Sequence, residues 1–145
     1  MTAASEIEHI KEKFGEGIYQ VAVRNELRTT LTIDKDKIVE IADYLFRECR
    51  YRFIIATAMD GKEGFEILYH FSQDASGLIL NLKVILDRNK PEIESLTCLF
   101  EASNWIEREM HEILGIQFLH HPNLEKLISE GNWAEGVYPY RNETL

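Results

Sequence analysis

The fold is decided by residues 65–86, which read FEILYHFSQDASGLILNLKVIL. Each half of this stretch alternates apolar and polar side chains, and a polar loop with a glycine lies between the halves. Because successive side chains of a strand point to opposite faces, this period of two predicts two half-buried strands joined as an antiparallel hairpin. The inward-facing residues are Phe65, Ile67, Tyr69 and Phe71 in the first strand, then Leu78, Leu80, Leu82, Val84 and Leu86 in the second.

Three more strands and two helices are predicted before this hairpin. A continuous apolar run, Phe53–Met59, ends at the turn pair Asp60-Gly61. Further upstream, Ile18–Val23 is β-prone, and Leu27, Thr29, Leu31 and Ile33 are expected to face inward after a turn at residues 24–26. The helices show apolar residues at a spacing of three and four. They comprise Ile7, Ile10 and Phe14, with Gly15 and Gly17 ending the helix, and Ile38, Ile41, Ala42, Leu45 and Cys49, with Asp34 or Asp36 as N-cap.

Together with a charged helix near residues 102–114, these elements predict an α+β fold. The sheet is mostly antiparallel and covered by helices, in the order α-β-β-α-β-β-β-α, followed by an irregular C-terminal tail. A short helical stretch over Leu124–Ile128 closes the domain, which we place at residues 1–128. Residues 129–145 form the tail.

Composition excludes several functional classes. The 145 residues carry 25 acidic and 16 basic side chains, for a net charge of −9, which argues against binding to nucleic acid or to an anionic membrane surface. No apolar run approaches the roughly 20 residues that span a bilayer, and Met1–Glu16 has the character of neither a signal nor a transit peptide. Cys49 and Cys98 are isolated, so they do not frame a zinc or iron–sulfur site.

The helix at residues 102–114 is unusual because one of its faces combines an aromatic ring with charges. Trp105, Arg108, Glu109 and Glu112 follow the i, i+3, i+4, i+7 rule. Met110 and Leu114, with their apolar neighbours, already provide a face for the core. A partner that neutralises the charged face explains this arrangement better than a solvated surface, where each ion pair contributes only ~0.2–0.5 kcal/mol. Pairing of some of these charges within the domain stays open, because Arg108 and Glu112 are themselves four residues apart.

The ends of this helix carry recognisable signals. Asn104 followed by Glu107 resembles a capping box, with Ser103 as the alternative cap. Gly115 stands where a left-handed residue ends a helix.

Catalytic and metal-binding motifs are incomplete in this region. His111-Glu112 lacks the second histidine of a zinc protease motif, and no second copy of a Glu-x-x-His pair supports a di-iron site. His120-His121 before Pro122 favours a turn over a metal pair. A small acid–base enzyme using Glu109 and Glu112 stays open as the lesser alternative.

The same residues resemble the signature of the 30-kDa subunit family of respiratory complex I, which also occurs in energy-converting membrane-bound [NiFe] hydrogenases. Glu107-Arg108-Glu109 supplies its opening, Glu112 its acid, Ile113-Leu114 its apolar pair, His121 its histidine and Leu127-Ile128 its close. Glu125 departs from the pattern, which has a basic residue or proline there. The tail resembles the family's Trp-x-Gly-x-Pro-Leu-Arg segment loosely.

The resemblance implies a cofactor-free assembly subunit of the hydrophilic arm of a redox complex. Its partners would be a large catalytic subunit, 49-kDa-like or of the [NiFe] hydrogenase type, and a small subunit; [4Fe–4S] clusters, and a NiFe centre in a hydrogenase, would lie in those partners. We expect a peripheral position on the cytoplasmic side of the membrane, held there through the complex. A hydrogenase of the energy-converting or formate hydrogenlyase type is favoured, and a complex I-like oxidoreductase of NADH or another donor with quinone is the alternative.

The tail at residues 129–145 is then expected to pack on a partner subunit. The residues assigned to the signature or the partner interface are Trp105, Glu107, Arg108, Glu109, Glu112, Gly115, His121, Pro122, Trp133, Tyr138 and Arg141.

Overall fold

The computed structural model describes residues 3–125 and 136–141. Its helices are α1 (Ala3–Phe14), α2 (Ile38–Arg47) and α3 (Ser103–Leu114). Its strands are β1 (Ile18–Asn25), β2 (Arg28–Ile33), β3 (Arg52–Asp60), β4 (Phe65–Gln73), β5 (Leu78–Leu86), β6 (Glu92–Glu94) and β7 (Gln117–Leu119). Short 3-10 turns at Gly15–Gly17 and Lys35–Lys37 follow α1 and precede α2.

The main sheet has five strands in the order β1-β2-β5-β4-β3. Every neighbouring pair is antiparallel except β2 and β5, which run parallel. The predicted α+β fold with a mostly antiparallel sheet is therefore confirmed. The parallel pair joins strands that α2 and the β3–β4 hairpin separate in sequence, so no local turn signal indicates it.

The hairpin of β4 and β5 has the predicted pattern of burial. Phe65 pairs with Leu86, and the ladder continues without a shift to Gln73 opposite Leu78. Burial alternates residue by residue along both strands. One face of these strands forms the centre of the core, against which α2 packs Ile38, Ile41, Ala42 and Leu45.

The first hairpin differs from its prediction at Leu27. The side chain of Asn25 accepts a hydrogen bond from the Leu27 amide at 2.9 Å, and the turn lies at Glu26 and Leu27. Leu27 is exposed, so the prediction that it faces inward is wrong. Thr29, Leu31 and Ile33 do face the core.

A second, two-stranded sheet was not predicted. β6 and β7 pair in parallel, with Ile93 opposite Phe118. Each strand has only three residues, too few to show a periodicity. This small sheet brings residue 95 and the segment after residue 119 close to α3, where the amide of Ser95 donates to the carbonyl of Leu119.

Two predictions concern the C-terminal part. Leu124 and Glu125, where a short helix was expected, have no regular secondary structure, and residues 126–128 lie outside the described residues. The predicted domain boundary at residue 128 and Trp133 also lie outside them.

Gly64 is expected to be essential to the turn between β3 and β4. Its carbonyl accepts a hydrogen bond from the Gly61 amide, and a Cβ at Gly64 would lie 2.2 Å from the carbonyl oxygen of Leu86. Because that neighbour is backbone in a central strand, Gly64→Ala should lower the free energy of unfolding by about 2–3 kcal/mol. Urea unfolding measures the change.

The matched control for this prediction is Gly77→Ala in the turn between β4 and β5. Gly77 has a φ of +77° but nothing within 4 Å of an added Cβ, so only backbone strain of about 1 kcal/mol is expected. Equal losses in the two variants would contradict the steric explanation.

Candidate partner interface

The start of α3 differs from its prediction, whereas its end agrees. Ala102 is the N-cap and makes no side-chain capping bond, so the predicted capping box is wrong. Ser103 instead donates to the carbonyl of Phe100 at 2.9 Å. At the C-terminal end, Gly115 has a φ of +79° and its amide donates to the carbonyl of His111, which confirms the left-handed end of the helix.

Glu107 does not cap α3 because its carboxyl group is hydrogen-bonded to a loop that precedes the helix. Oε1 lies 2.5 Å from the hydroxyl of Ser95, and Oε2 accepts the amide of Leu96 at 2.8 Å. The residue is 0% exposed. This member of the predicted interface therefore contacts the interior of its own chain.

The side chain of His121 lies next to this carboxylate. Its Nε2 is 4.0 Å from Glu107 Oε1, and both side chains are buried. The ring accepts the amide of Asn123 at Nδ1, 2.9 Å away, so Nε2 carries the proton and donates to the carbonyl of Asn104 at 3.0 Å. The predicted turn at His120-His121 is present, with a φ of +65° at His120.

Burial controls the protonation of this site. Loss of water around Glu107 raises its pKa to about 7, although its hydrogen bonds from Ser95 and Leu96 act in the opposite direction and the charge of Glu94 adds a small increase. Burial, and to a smaller extent the charge of Glu107, raises the pKa of Tyr69 on β4. Among the described residues, the Tyr69 hydroxyl has no hydrogen-bond partner.

The opposite side of α3 is open to solvent. Trp105 is 67% exposed, and Glu109, one turn further along, is exposed as well. Met110 and Leu114 are buried on the other side, as predicted. The face that the sequence assigned as one surface is therefore divided, because Glu112 is only 7% exposed.

Two segments lie along α3 and extend its exposed surface. The guanidinium of Arg108 donates from Nε to the carbonyl of Glu125 at 2.9 Å, so it holds the segment that begins at His121 and includes the exposed Pro122. The amide of Tyr140 donates to the carbonyl of Ile113 at 3.1 Å.

Arg141 and Tyr138 close the C-terminal end of the helix. Nε of Arg141 donates to the carbonyl of Leu114 at 2.7 Å, and its guanidinium lies 4.3 Å from the ring centre of Tyr138. A Cβ at Gly115 would approach both side chains to less than 3 Å. Gly115 therefore both ends the helix in a left-handed conformation and leaves the space that Arg141 and Tyr138 occupy.

The chemistry available to these residues is limited. Within residues 3–125 and 136–141, no three His, Cys, Asp or Glu side chains are grouped so that they would hold a metal ion. The same residues include no helix with the length and apolarity needed to cross a bilayer. Glu109 is open to solvent while Glu112 is buried, so the geometry gives the acid–base alternative no support.

Ser95 and Leu96, the hydrogen-bond partners of the buried Glu107 carboxyl, were not predicted from the sequence. They belong to no motif and lie 12 and 11 residues before Glu107. The available signal was the pair of hydroxyl side chains at Ser95 and Thr97, a few residues before the helix that carries Glu107.

Comparison with known proteins identifies relatives over nearly the whole chain. The family model described as "Respiratory-chain NADH dehydrogenase, 30 Kd subunit" matches residues 31–144. The C subunit of the F(420)H(2) dehydrogenase of Methanosarcina mazei is 31% identical over 146 residues, which cover 99% of this chain and 92% of that protein. The C subunit of the NADH-quinone oxidoreductase of Geobacter sulfurreducens is 30% identical, over 86% of this chain and 80% of the relative.

One relative is a longer chain, and one similarity is structural. The C/D subunit of the NADH-quinone oxidoreductase of Acinetobacter baumannii is 27% identical over 94% of this chain but only 24% of its own length. A chain in the solved structure of the membrane-bound sulfane sulfur reductase, described as an archaeal respiratory membrane complex, has the same fold, with a TM-score of 0.82 at 24% identity. That similarity covers 95% of this chain and 82% of the other.

Proposed function

Because this chain belongs to the 30-kDa subunit family of respiratory-chain NADH dehydrogenases, we propose that it is a non-catalytic assembly subunit that docks on the large catalytic subunit of a membrane-bound oxidoreductase. The observation that carries the proposal is that α3 has one buried side and one exposed side. Its buried residues organise the fold, whereas Trp105 and Glu109 remain exposed on the opposite side. Tryptophan is one of the residue types enriched at the energetically important positions of protein interfaces.

The proposed docking face consists of Trp105, Glu109, Arg108 and the chain around Tyr140. Tyr140 is exposed and lies beside Ile113, so it adds a second aromatic ring along the same helix. The role of Glu107 is then indirect, because its carboxylate fixes the helix that carries these side chains. The tail at residues 129–145 is proposed to pack on the same partner.

The identity of the partner is supported by the longer relative. The name of the Acinetobacter baumannii protein combines the C and D subunits in one chain, and the region similar to this chain covers about a quarter of it. Fusion of two subunits into one chain keeps their docking surfaces at high effective concentration. We therefore propose that the partner is the counterpart of that protein's D portion, the 49-kDa-like large subunit, with a [4Fe–4S] small subunit as a second neighbour.

The type of complex is proposed from the names of the relatives. The Methanosarcina mazei protein, which matches 99% of this chain, bears the name of a dehydrogenase, and the Geobacter sulfurreducens protein bears that of a quinone oxidoreductase. These names support the complex I-like alternative over the hydrogenase that the sequence favoured. The chain would then reach the membrane through its complex, on the cytoplasmic side.

Purification of the native complex tests this proposal. A tagged form of this chain, isolated from solubilised membranes, should bring down a large subunit and an iron-containing small subunit in equal amounts. The chain purified alone should contain no stoichiometric iron or nickel. Turnover of an electron donor by the chain alone would contradict the proposal, and nickel ligands in the sequence of the large subunit would decide for a hydrogenase.

A further inference from the structure

The carboxyl of Glu107 connects three segments that are far apart in sequence. Its two oxygens are hydrogen-bonded to the hydroxyl of Ser95 and to the amide of Leu96, both in the loop after β6. On the other side it lies 4.0 Å from His121, which in turn donates to the backbone of Asn104 at the start of α3. We refer to Glu107, Ser95, Leu96, Thr97 and His121 as the Glu107 cluster.

A hydroxyl chain links this buried carboxyl to a half-buried residue. Ser95 Oγ lies 2.5 Å from Glu107 Oε1 and 2.8 Å from Thr97 Oγ1. Since Ser95 has one hydroxyl proton, the direction of these two hydrogen bonds depends on whether the carboxyl of Glu107 is protonated. A neutral Glu107 donates to Ser95, which donates to Thr97, whereas an ionised Glu107 accepts from Ser95, which then accepts from Thr97. The hydrogen bonds of Ser95 therefore fit both forms of the carboxyl, so burial and the surrounding charges decide between them.

The charges around the cluster disfavour the ionised form. Glu94 on β6 carries a like charge that acts on Glu107. The imidazole of His121 accepts the amide of Asn123 at Nδ1 and donates from Nε2 to the carbonyl of Asn104, so its hydrogen bonds go to backbone groups and not to Glu107. On β4, the facing group is the phenol of Tyr69.

Two titratable neighbours of Glu107 on its own helix, Arg108 and His111, have hydrogen bonds to other segments. Arg108 donates from Nε to the carbonyl of Glu125, and Nδ1 of His111 donates to the carbonyl of Ile116. An ionised carboxyl at a fully buried position is stabilised by opening toward water. Opening of the cluster would release the loop at residues 95–97 and the turn at residues 120–121 from α3.

We infer that the Glu107 cluster is a pH-dependent latch, in which a neutral Glu107 holds residues 95–97 and 120–121 on α3 and an ionised Glu107 loosens both. This device is a property of the chain itself and does not depend on the proposed docking. The pKa of about 7 that burial gives Glu107 places the transition near neutral pH.

Amide hydrogen exchange of the full chain, measured by mass spectrometry and corrected for the intrinsic pH dependence of exchange, tests the latch. In the closed form, Glu107 keeps its proton up to about pH 7. In an open form it loses the proton near the ordinary carboxyl pKa of 4.5. Opening is therefore favoured as pH rises through this window. Peptides covering residues 95–97 and 119–123 should lose protection by at least about tenfold between pH 5 and pH 8.

Two matched variants separate the latch from general effects of pH. In Glu107→Gln, the amide donates to Ser95 and accepts from Leu96 as the neutral carboxyl does, so protection should no longer change with pH. Glu109→Gln makes the same substitution at an exposed position of the same helix, and the pH dependence of its protection at residues 95–97 and 119–123 should equal that of the wild type. Protection that is independent of pH in the wild type, or an equal pH dependence in Glu107→Gln, would overturn the inference.

Discussion

Replacing Trp105 with alanine is expected to reduce co-purification of the large subunit by at least about 30-fold, because truncation of a central interface tryptophan typically costs about 2 kcal/mol or more. Trp105 is largely exposed in this chain, so its removal should leave the free energy of unfolding nearly unchanged. A tagged chain co-expressed with its complex measures the first quantity, and thermal unfolding of the isolated chain measures the second.

Tyr19→Ala is the matched control for this substitution. Tyr19 is 66% exposed and lies on β1, an edge strand at the opposite end of the sheet from β3, the strand that α3 contacts. Both variants remove one exposed aromatic ring, so a general loss of exposed apolar surface would affect them equally. Normal assembly of Trp105→Ala, or equal impairment of both variants, would rule out α3 as the docking element.

Replacing Glu107 with alanine is expected to lower the free energy of unfolding by about 3 kcal/mol at pH 5. The substitution leaves the buried amide of Leu96 without its acceptor and creates a cavity between α3 and residues 95–97. Denaturant titration of the isolated chain measures the loss. Glu109→Ala, at an exposed position on the same helix, should change stability by less than about 0.5 kcal/mol.

The loss caused by Glu107→Ala should become smaller at higher pH. The folded-state pKa of about 7 lies above the ordinary value of 4.5, so the folded chain binds the extra proton between these two values. The wild type therefore loses stability as pH rises from about 4.5 to 7, whereas the alanine variant has no carboxyl to ionise. A loss that is constant, or that grows, between pH 5 and pH 8 would contradict the assignment of a neutral buried carboxyl.

The main sheet was predictable because its two central strands are long and half-buried. Nine residues each in β4 and β5 repeat the period of two often enough to exclude a helix, and turn signals mark the loops of the hairpins. The parallel pairing of β2 with β5 and the three-residue strands β6 and β7 were not predictable. They depend on contacts between segments that no local pattern connects.

The position of the signature helix was also predictable, but the burial of its charges was not. Helical spacing places Trp105, Arg108, Glu109 and Glu112 on one face, but it does not decide whether their charges pair with a partner or within the domain. Burial of Glu107 is decided instead by the loop at residues 95–97, whose hydroxyl and amide satisfy the carboxylate. A carboxyl group is tolerated in a core when such hydrogen-bond partners exist, and the sequence does not identify them.

The family signature therefore combines two kinds of residue. Glu107, His121 and Gly115 make contacts within the chain, with the loop before α3, the helix start and the C-terminal segment respectively. Trp105 and Glu109 make the surface on the other side of the same helix. We expect substitutions in the first group to act through stability and substitutions in the second to act through assembly.

The most direct test of the docking proposal is photo-crosslinking within the native complex. A photoreactive benzoyl-phenylalanine replaces Trp105 in one sample and Tyr19 in another, and mass spectrometry identifies the subunit attached to each. We expect position 105 to form an adduct with the large catalytic subunit and position 19 to form none. An intact complex in which position 105 forms no adduct with the large subunit would contradict the proposal that the exposed side of α3 is the docking face.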